Sequence, residues 1–262
     1  MDGVGRRGID GSARRLRDWL DRFLPPACAV CAGSLARRDS GVCQLCWSRA
    51  PACRFPRCRR CGIPSADTGV AATDATCLEC ATWLPYLREC RAPYVMAGTA
   101  AAMVHALKYR GWKELAEEMG RRMAAARFSR EVEAEVALIV PVPLSATRLR
   151  ERGFNQAELL ARSVAKYRGL PLAADLLQRR RHTRRQARLL PRQRLRNVRS
   201  AFEVAGEPEA ELASAHLLLV DDVLTTAATA EACVRALCGA GARAVSVLTF
   251  ARARRQLAGK GG

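Results

Sequence analysis

A chain of 262 residues with 44 Lys+Arg against 25 Asp+Glu carries a formal charge of +19, yet 49% of it is apolar. That apolar share excludes a disordered polyelectrolyte and leaves room for one or two cored domains. With 5% aromatic residues, a base-stacking surface is not its main business, and no apolar run reaches the roughly 18 residues of a membrane-spanning helix.

Residues 13–24 place Leu16, Trp19, Leu20, Phe23 and Leu24 at helical spacing. They predict a short amphipathic helix within residues 1–25, stopped by Pro25 and Pro26. Asp10, Asp18 and Asp21 break up any secretory h-region, so a soluble, cytoplasmic protein is expected.

Ten of the 12 cysteines lie in residues 28–90, and eight of them form four pairs of one spacing. These are Cys28 with Cys31, Cys43 with Cys46, Cys58 with Cys61, and Cys77 with Cys80. A tight CxxC turn aims two thiolates at one point, and two such turns supply the tetrahedral four-sulfur shell that Zn2+ prefers. Chain order suggests one site from the first two pairs and another from the last two; a cross-braced arrangement is the alternative. A disulfide framework is disfavoured in a reducing compartment, and four successive CxxC pairs look like ligands rather than one redox pair. Residues 26–91 are therefore read as a small zinc module whose folding is coupled to metal. Cys53 and Cys90 are left over, while Cys233 and Cys238 fall on a later apolar helix face as core fillers.

From Tyr94 onward strand and helix patterns alternate. Strands are expected at 94–99, 137–142, 217–220 and 244–250, and helices from about 100 to 111, at 114–127, 154–167 and 226–237. Apolar strands alternating with helices predict an α/β fold, a parallel sheet flanked by helices, over residues 92–252, with a basic tail at 253–262.

Strand 217–220 runs into Asp221 and Asp222, then a small hydroxyl-rich turn that opens a helix. Ligands of open parallel sheets bind beyond the carboxyl ends of the strands, and a helix N-terminus offers unpaired N–H groups to a phosphate. Thr225, Thr226 and Thr229 add hydroxyl donors, and Ala227 and Ala228 let the backbone approach. The two carboxylates suit the hydroxyls of a sugar bearing that phosphate. Capping of the helix is the plainer alternative.

The stretch LLLVDDVLTTAATA at 217–230 resembles the phosphoribosyl-pyrophosphate (PRPP) signature of type I phosphoribosyltransferases. The resemblance implies that Asp221 and Asp222 contact the ribose hydroxyls, with Mg2+ bound alongside PRPP. It also implies that Thr225, Thr226, Ala227, Ala228 and Thr229 cradle the 5′-phosphate. The usual loop has Gly where this chain has Ala227, so a positive φ there would cost alanine about 1–2 kcal/mol.

A narrower likeness extends over nearly the whole chain. AMVHALKYRG (102–111), VPVPL (140–144), RLRERGFNQAELLA (148–161) and the spaced Gln186, Leu189, Asn197 and Phe202 occur in this order in ComF-type proteins. These join an N-terminal zinc module to a type I phosphoribosyltransferase fold and are linked to DNA uptake in natural transformation. On this reading Pro143 belongs to a turn that meets pyrophosphate, Arg152 offers a guanidinium fork, and Asn155 and Gln156 add neutral hydrogen bonds. Asn155 is also a natural helix cap, and His105 and Lys108 share a helix one turn apart as lesser catalytic candidates.

Residues 179–199 hold ten Arg and no acid. The resemblance aligns this stretch, with Arg184, Arg185 and Gln186, to a loop closing over PRPP. A DNA backbone would suit it equally. Three functions follow: a PRPP-using transferase acting in DNA uptake, a non-catalytic single-stranded-DNA adaptor built on the same fold, or nucleobase salvage, for which the zinc module would be superfluous. The family implies a DNA-uptake helicase as partner.

Overall fold

In a computed structural model the described residues are 26–35, 41–64, 76–179, 201–206 and 212–253. The helix expected at 13–24, the basic tail beyond residue 253, and Arg184, Arg185, Gln186 and nearly all of the Arg-rich stretch lie outside them.

The two cysteine quartets fold as two copies of one unit. Antiparallel bridges Ala27–Ser34 and Arg57–Pro64 bracket the first CxxC of each, and Cys28 N–H donates to Gly33 O at 2.7 Å as Cys58 N–H does to Ile63 O at 2.9 Å. Each second CxxC opens a short helix, α1 (Gln44–Ser48) and α2 (Leu78–Ala81). Cys43 (φ −69°, ψ 156°) and Cys77 (φ −70°, ψ 155°) stand at the N-caps with nearly identical backbone.

Beyond them come β1 (Leu87–Arg91), β2 (Tyr94–Val95), α3 (Gly98–Tyr109), α4 (Leu115–Ala124), α5 (Arg130–Glu135) and β3 (Val136–Pro141). Then follow α6 (Ala146–Arg152), α7 (Gln156–Arg168), β4 (Leu177–Arg179), β5 (Phe202–Val204), β6 (His216–Leu224), α8 (Ala228–Gly239) and β7 (Ala244–Arg252). The main sheet is parallel, in the order β1–β7–β6–β3, with β2 continuing the β1 edge beside β7; β4 and β5 make a separate antiparallel pair.

Pleating sorts β6 and β7 between two apolar clusters. Leu218, Val220, Leu248 and Phe250 face α3, α4 and α7; Leu217, Leu219, Val245 and Val247 face α8 and the β4–β5 pair. The first cluster also contains Cys28, Cys46 and Trp47 of the first quartet unit, and the second contains Cys58, Cys61, Cys77, Cys80 and Trp83 of the second. The module thus straddles the β1/β2 edge and covers part of each face. Trp47 packs edge-on against Phe250 with centroids 6.2 Å apart, Tyr94 lies 5.0 Å from Phe250, and the Arg122 guanidinium stacks 4.1 Å from Trp47 while donating to Tyr94 Oη at 2.9 Å. On the helical side, a Cβ on Gly120 would lie 2.4 Å from Ser163 Cβ, so α4 and α7 approach at a distance only glycine allows.

Several expectations change. The strand expected at 217–220 extends to Leu224, because Asp221, Val223 and Leu224 pair with Thr249, Ala251 and Arg252 of an equally long β7. The strand expected at 94–99 stops at Val95, where its partner Arg252 ends β7. The sheet takes β1 from residues 87–91, inside the stretch read as zinc module, so the two parts share a strand rather than a linker. Cys233 is fully buried and Cys238 half-buried against the same cluster, as core residues.

Candidate functional site

Each cysteine quartet brings its four Sγ atoms within 4.8 Å of one another, in chain order and not cross-braced. A tetrahedral four-sulfur shell with Zn–S of about 2.3 Å requires S···S of about 3.8 Å. Cys31–Cys43 at 3.7 Å, Cys58–Cys80 at 3.6 Å and Cys61–Cys77 at 3.5 Å fit that shell. Backbone amides support the thiolates: Val30 and Cys43 N–H donate to Cys28 Sγ, and Cys77 N–H donates to Cys58 Sγ. Two structural Zn2+ sites follow from this donor set. Around the second, Arg60 donates to the carbonyls of Cys80 (2.7 Å), Leu84 (2.5 Å) and Leu87 (3.0 Å), one guanidinium binding three turns together.

At the carboxyl ends of β3 and β6 lies a cleft of about 360 Å3. Four cations, Lys108, Arg148, Arg152 and Arg179, face it against two carboxylates, Asp221 and Asp222, so the cleft favours an anion. Pro143, Thr225 and Thr229 line it as well. Asp222 is 3% exposed; it pairs with Lys108 and accepts from Gln156 Nε2 at 3.3 Å. Gln156 in turn accepts from Arg152, giving a continuous chain Arg152–Gln156–Asp222–Lys108 across four elements. Asp221 Oδ1 accepts from Asp222 N–H at 2.8 Å. Burial and the adjacent Asp222 charge push the Asp221 carboxyl well above the usual range, with Lys108 pulling the other way.

After β6 the backbone turns sharply. Ala227 holds φ +57° and ψ −2°, left-handed, at the N-cap of α8. No side chain caps this helix, so its first N–H groups are available at the cleft's edge beside the exposed Thr225, Thr226 and Thr229. The glycine-for-alanine difference noted in the sequence falls on a residue that does adopt positive φ. Ala228 begins the helix, half-buried.

Asn155 turns away from this role. Its Oδ1 accepts from Ala157 N–H and its Nδ2 donates to Val142 O, both at 3.1 Å, so it caps α7 and fastens that helix to the turn after β3. It is Gln156 that reaches the cleft. Sequence reasoning passed over Arg148 and left Lys108 a lesser candidate. The signal for Arg148 was present: it stands four residues before Arg152 on α6, on the same face. His105 stacks on Tyr109 with ring centroids 4.9 Å apart and is not among the cleft-lining residues.

Two outcomes follow from these sites. Elemental analysis is expected to find two zinc ions per chain, and Cys80→Ser to retain one while losing about 3–5 kcal/mol in urea unfolding. Retention of both ions would remove Cys80 from the ligand set. At position 227, relief of left-handed strain (about 1–2 kcal/mol) is offset by glycine's unfolded-state entropy (about 0.4–1) and the lost buried methyl (about 0.8). Ala227→Gly is therefore expected within about 1 kcal/mol of the parent, and Ala227→Val, branched and buried at positive φ, more than about 2 kcal/mol below it. A Val variant as stable as the parent would contradict the left-handed turn.

Residues 19–81 match the family model of the double zinc ribbon domain. DNA utilization protein YhgH of Salmonella typhimurium is 29% identical over 232 residues, 87% of this chain and 98% of the relative. Competence protein F of Haemophilus influenzae is 26% identical, covering 88% and 99%, and competence protein ComFC of Bacillus subtilis 28%, covering 82% and 85%. A solved structure of the allosteric regulatory enzyme of purine biosynthesis aligns over 52% of this chain and 25% of its own at 21% identity and a TM-score of 0.34, a likeness too slight to carry an argument. The chain is thus similar over most of its length to the competence proteins, and over residues 19–81 to the double zinc ribbon.

Proposed function

We propose that the cleft binds PRPP with Mg2+ and that the chain works in DNA uptake as a phosphoribosyltransferase-like protein. One observation carries the reading. Two carboxylates on β6 lead through a left-handed residue into an uncapped helix N-terminus, and Arg148, Arg152 and Lys108 face them across the cleft. A sugar phosphate that also bears a pyrophosphate needs those three features in that order. The names of the relatives, competence protein F and ComFC, support the DNA-uptake role.

On this reading Asp221 and Asp222 hold the ribose hydroxyls and favour positive charge developing on the sugar, while the amides opening α8 receive the 5′-phosphate. Arg148, Arg152 and Lys108 face the pyrophosphate oxygens. Mg2+ bound with PRPP would lie beside Asp221 and Asp222 and would offset the charge of the pyrophosphate. Lys108 neutralises Asp222 when no ligand is bound and would exchange that partner for an anion.

Calorimetry is expected to detect PRPP binding with Mg2+ and none in excess EDTA, with Asp221→Asn/Asp222→Asn at least tenfold weaker. Because Asp221 must be ionised to act and its carboxyl titrates high, affinity falls on acidification well before the ordinary carboxylate range near about pH 4. Absence of binding by the intact protein, or parental affinity in the double variant, would reject the reading.

A second reading, a single-stranded-DNA adaptor, rests on the ten Arg of residues 179–199, of which Arg179 lines the cleft. It predicts that log affinity for an oligonucleotide falls with log salt by about 0.7 per neutralised phosphate, and that neutralising the arginines of 179–185 flattens the slope. A flat response in the parent rejects it. A DNA-uptake helicase is the partner proposed with either reading.

A further inference from the structure

Arg252, at the end of β7, is 2% exposed and among the largest fully buried side chains among the described residues. Burying a guanidinium is costly unless its donors are satisfied. Here Nη1 donates to the carbonyls of Leu224 (3.0 Å), Thr225 and Ala253 (3.2 Å) and Nη2 pairs with Glu79, while Nε alone of the three nitrogens has no hydrogen-bond partner among the described residues. Leu224 and Thr225 are the last residue of β6 and the first beyond it, immediately before the turn that holds the left-handed Ala227. Glu79 stands in α2 between Cys77 and Cys80, two ligands of the second four-cysteine site.

One planar group therefore grips both the metal-binding turn and the backbone entering the loop at the cleft. A second tie runs parallel to it: Leu84 N–H donates at 3.1 Å to Glu231 Oε1, in the first turn of α8. Cys77, Cys80 and Trp83 also share one apolar cluster with Ala227 and Ala230. The buried cysteines of the first quartet belong instead to the cluster on the opposite face.

We propose that Arg252, acting through Glu79, is a positioning residue that couples the second four-cysteine site to the loop at residues 224–229. Order at the metal site sets the loop, and occupation of the loop tightens the hold on the metal, because coupling between two sites is reciprocal. The coupling needs only the second cysteine quartet and the loop, and so stands or falls separately from the identity of the ligand.

Hydrogen–deuterium exchange on the full-length, zinc-loaded protein tests it. Glu79→Gln keeps every metal ligand, and Arg252→Lys keeps a cation beside Glu79 but gives up the fork to the carbonyls. Each is expected to speed exchange at 224–229 at least threefold, with the amides of β3 unchanged. Arg252→Lys is also expected to release one of the two zinc ions to a chromogenic chelator at least threefold faster than the parent. With PRPP and Mg2+ as the probe, that ion's release from the parent slows at least threefold, and Glu79→Gln loses the effect. Unchanged exchange at 224–229 in both variants overturns the proposal. So does acceleration spread evenly over the sheet, or unaltered zinc release in Arg252→Lys. A parent that binds no PRPP rejects the ligand reading alone, and the exchange and release rates still decide the coupling.

Discussion

A parallel sheet with apolar residues on both faces has to be covered twice, and in this protein helices do not complete either cover. β6 and β7 alternate leucine, valine and phenylalanine between two clusters, and each cluster is finished by one half of the double zinc ribbon. The ribbons are too poor in apolar residues to own a core, so each contributes its buried cysteines and one tryptophan, among other residues, to a core that the α/β part begins. Metal-ligand bonds fix the local turns; burial of Trp47 against Phe250, and of Trp83 and Leu87 with Val245 and Val247, fixes where those turns sit. Zinc and hydrophobic burial therefore act on the same residues.

The site is a consequence of strand length. β6 and β7 each run nine residues, whereas β3, the other neighbour of β6, has six and stops at Pro141. The overhang carries Asp221 and Asp222 past the level where hydrophobic cover ends, and lets Lys108, Arg152 and Gln156 meet them from three different helices. Adjacent residues of a strand point to opposite faces, which gives the two acids different partners although their charges still interact. Asp222 has its cation and amide partners; Asp221, partly buried beside a charged neighbour, is the one that resists ionisation.

Patterns carried by single residues or short spacings were legible in the sequence. CxxC geometry is local, so the four pairs followed from spacing, whereas their grouping in chain order rather than cross-braced is decided by the fold. The parallel α/β character followed from buried apolar runs, and the turn into α8 from small hydroxyl residues after an acid pair. What depended on partners was not legible. The length of β6 is decided by pairing with β7 and not by its own apolar run. Residues 87–91 read as part of the cysteine-rich module because Cys90 and two arginines hide a strand that exists only beside β7. Asn155 and Gln156 are neighbours of similar chemistry, and only the direction of the helix start separates the cap from the cleft residue. Arg252 gave no signal, since a terminal arginine on a strand reads as surface until three carbonyls and a carboxylate are seen around it.

The order of strands also bears on how the chain comes together. β7 lies between β1 and β6, yet among the strands of this sheet it is the latest in sequence. Until it is made, the ribbon-bearing edge has no neighbour to join, and the contact that seats Trp47 on Phe250 spans most of the chain. A nascent polypeptide would thus carry metal-closed ribbons and a β3–β6 half-sheet as separate, partly uncovered pieces, joined late by a single strand sliding between them. Such long-range closure is slow and exposes apolar surface meanwhile. Early zinc capture would keep the cysteine-rich piece in its final shape during that wait, making metal supply a condition of assembly as much as of stability.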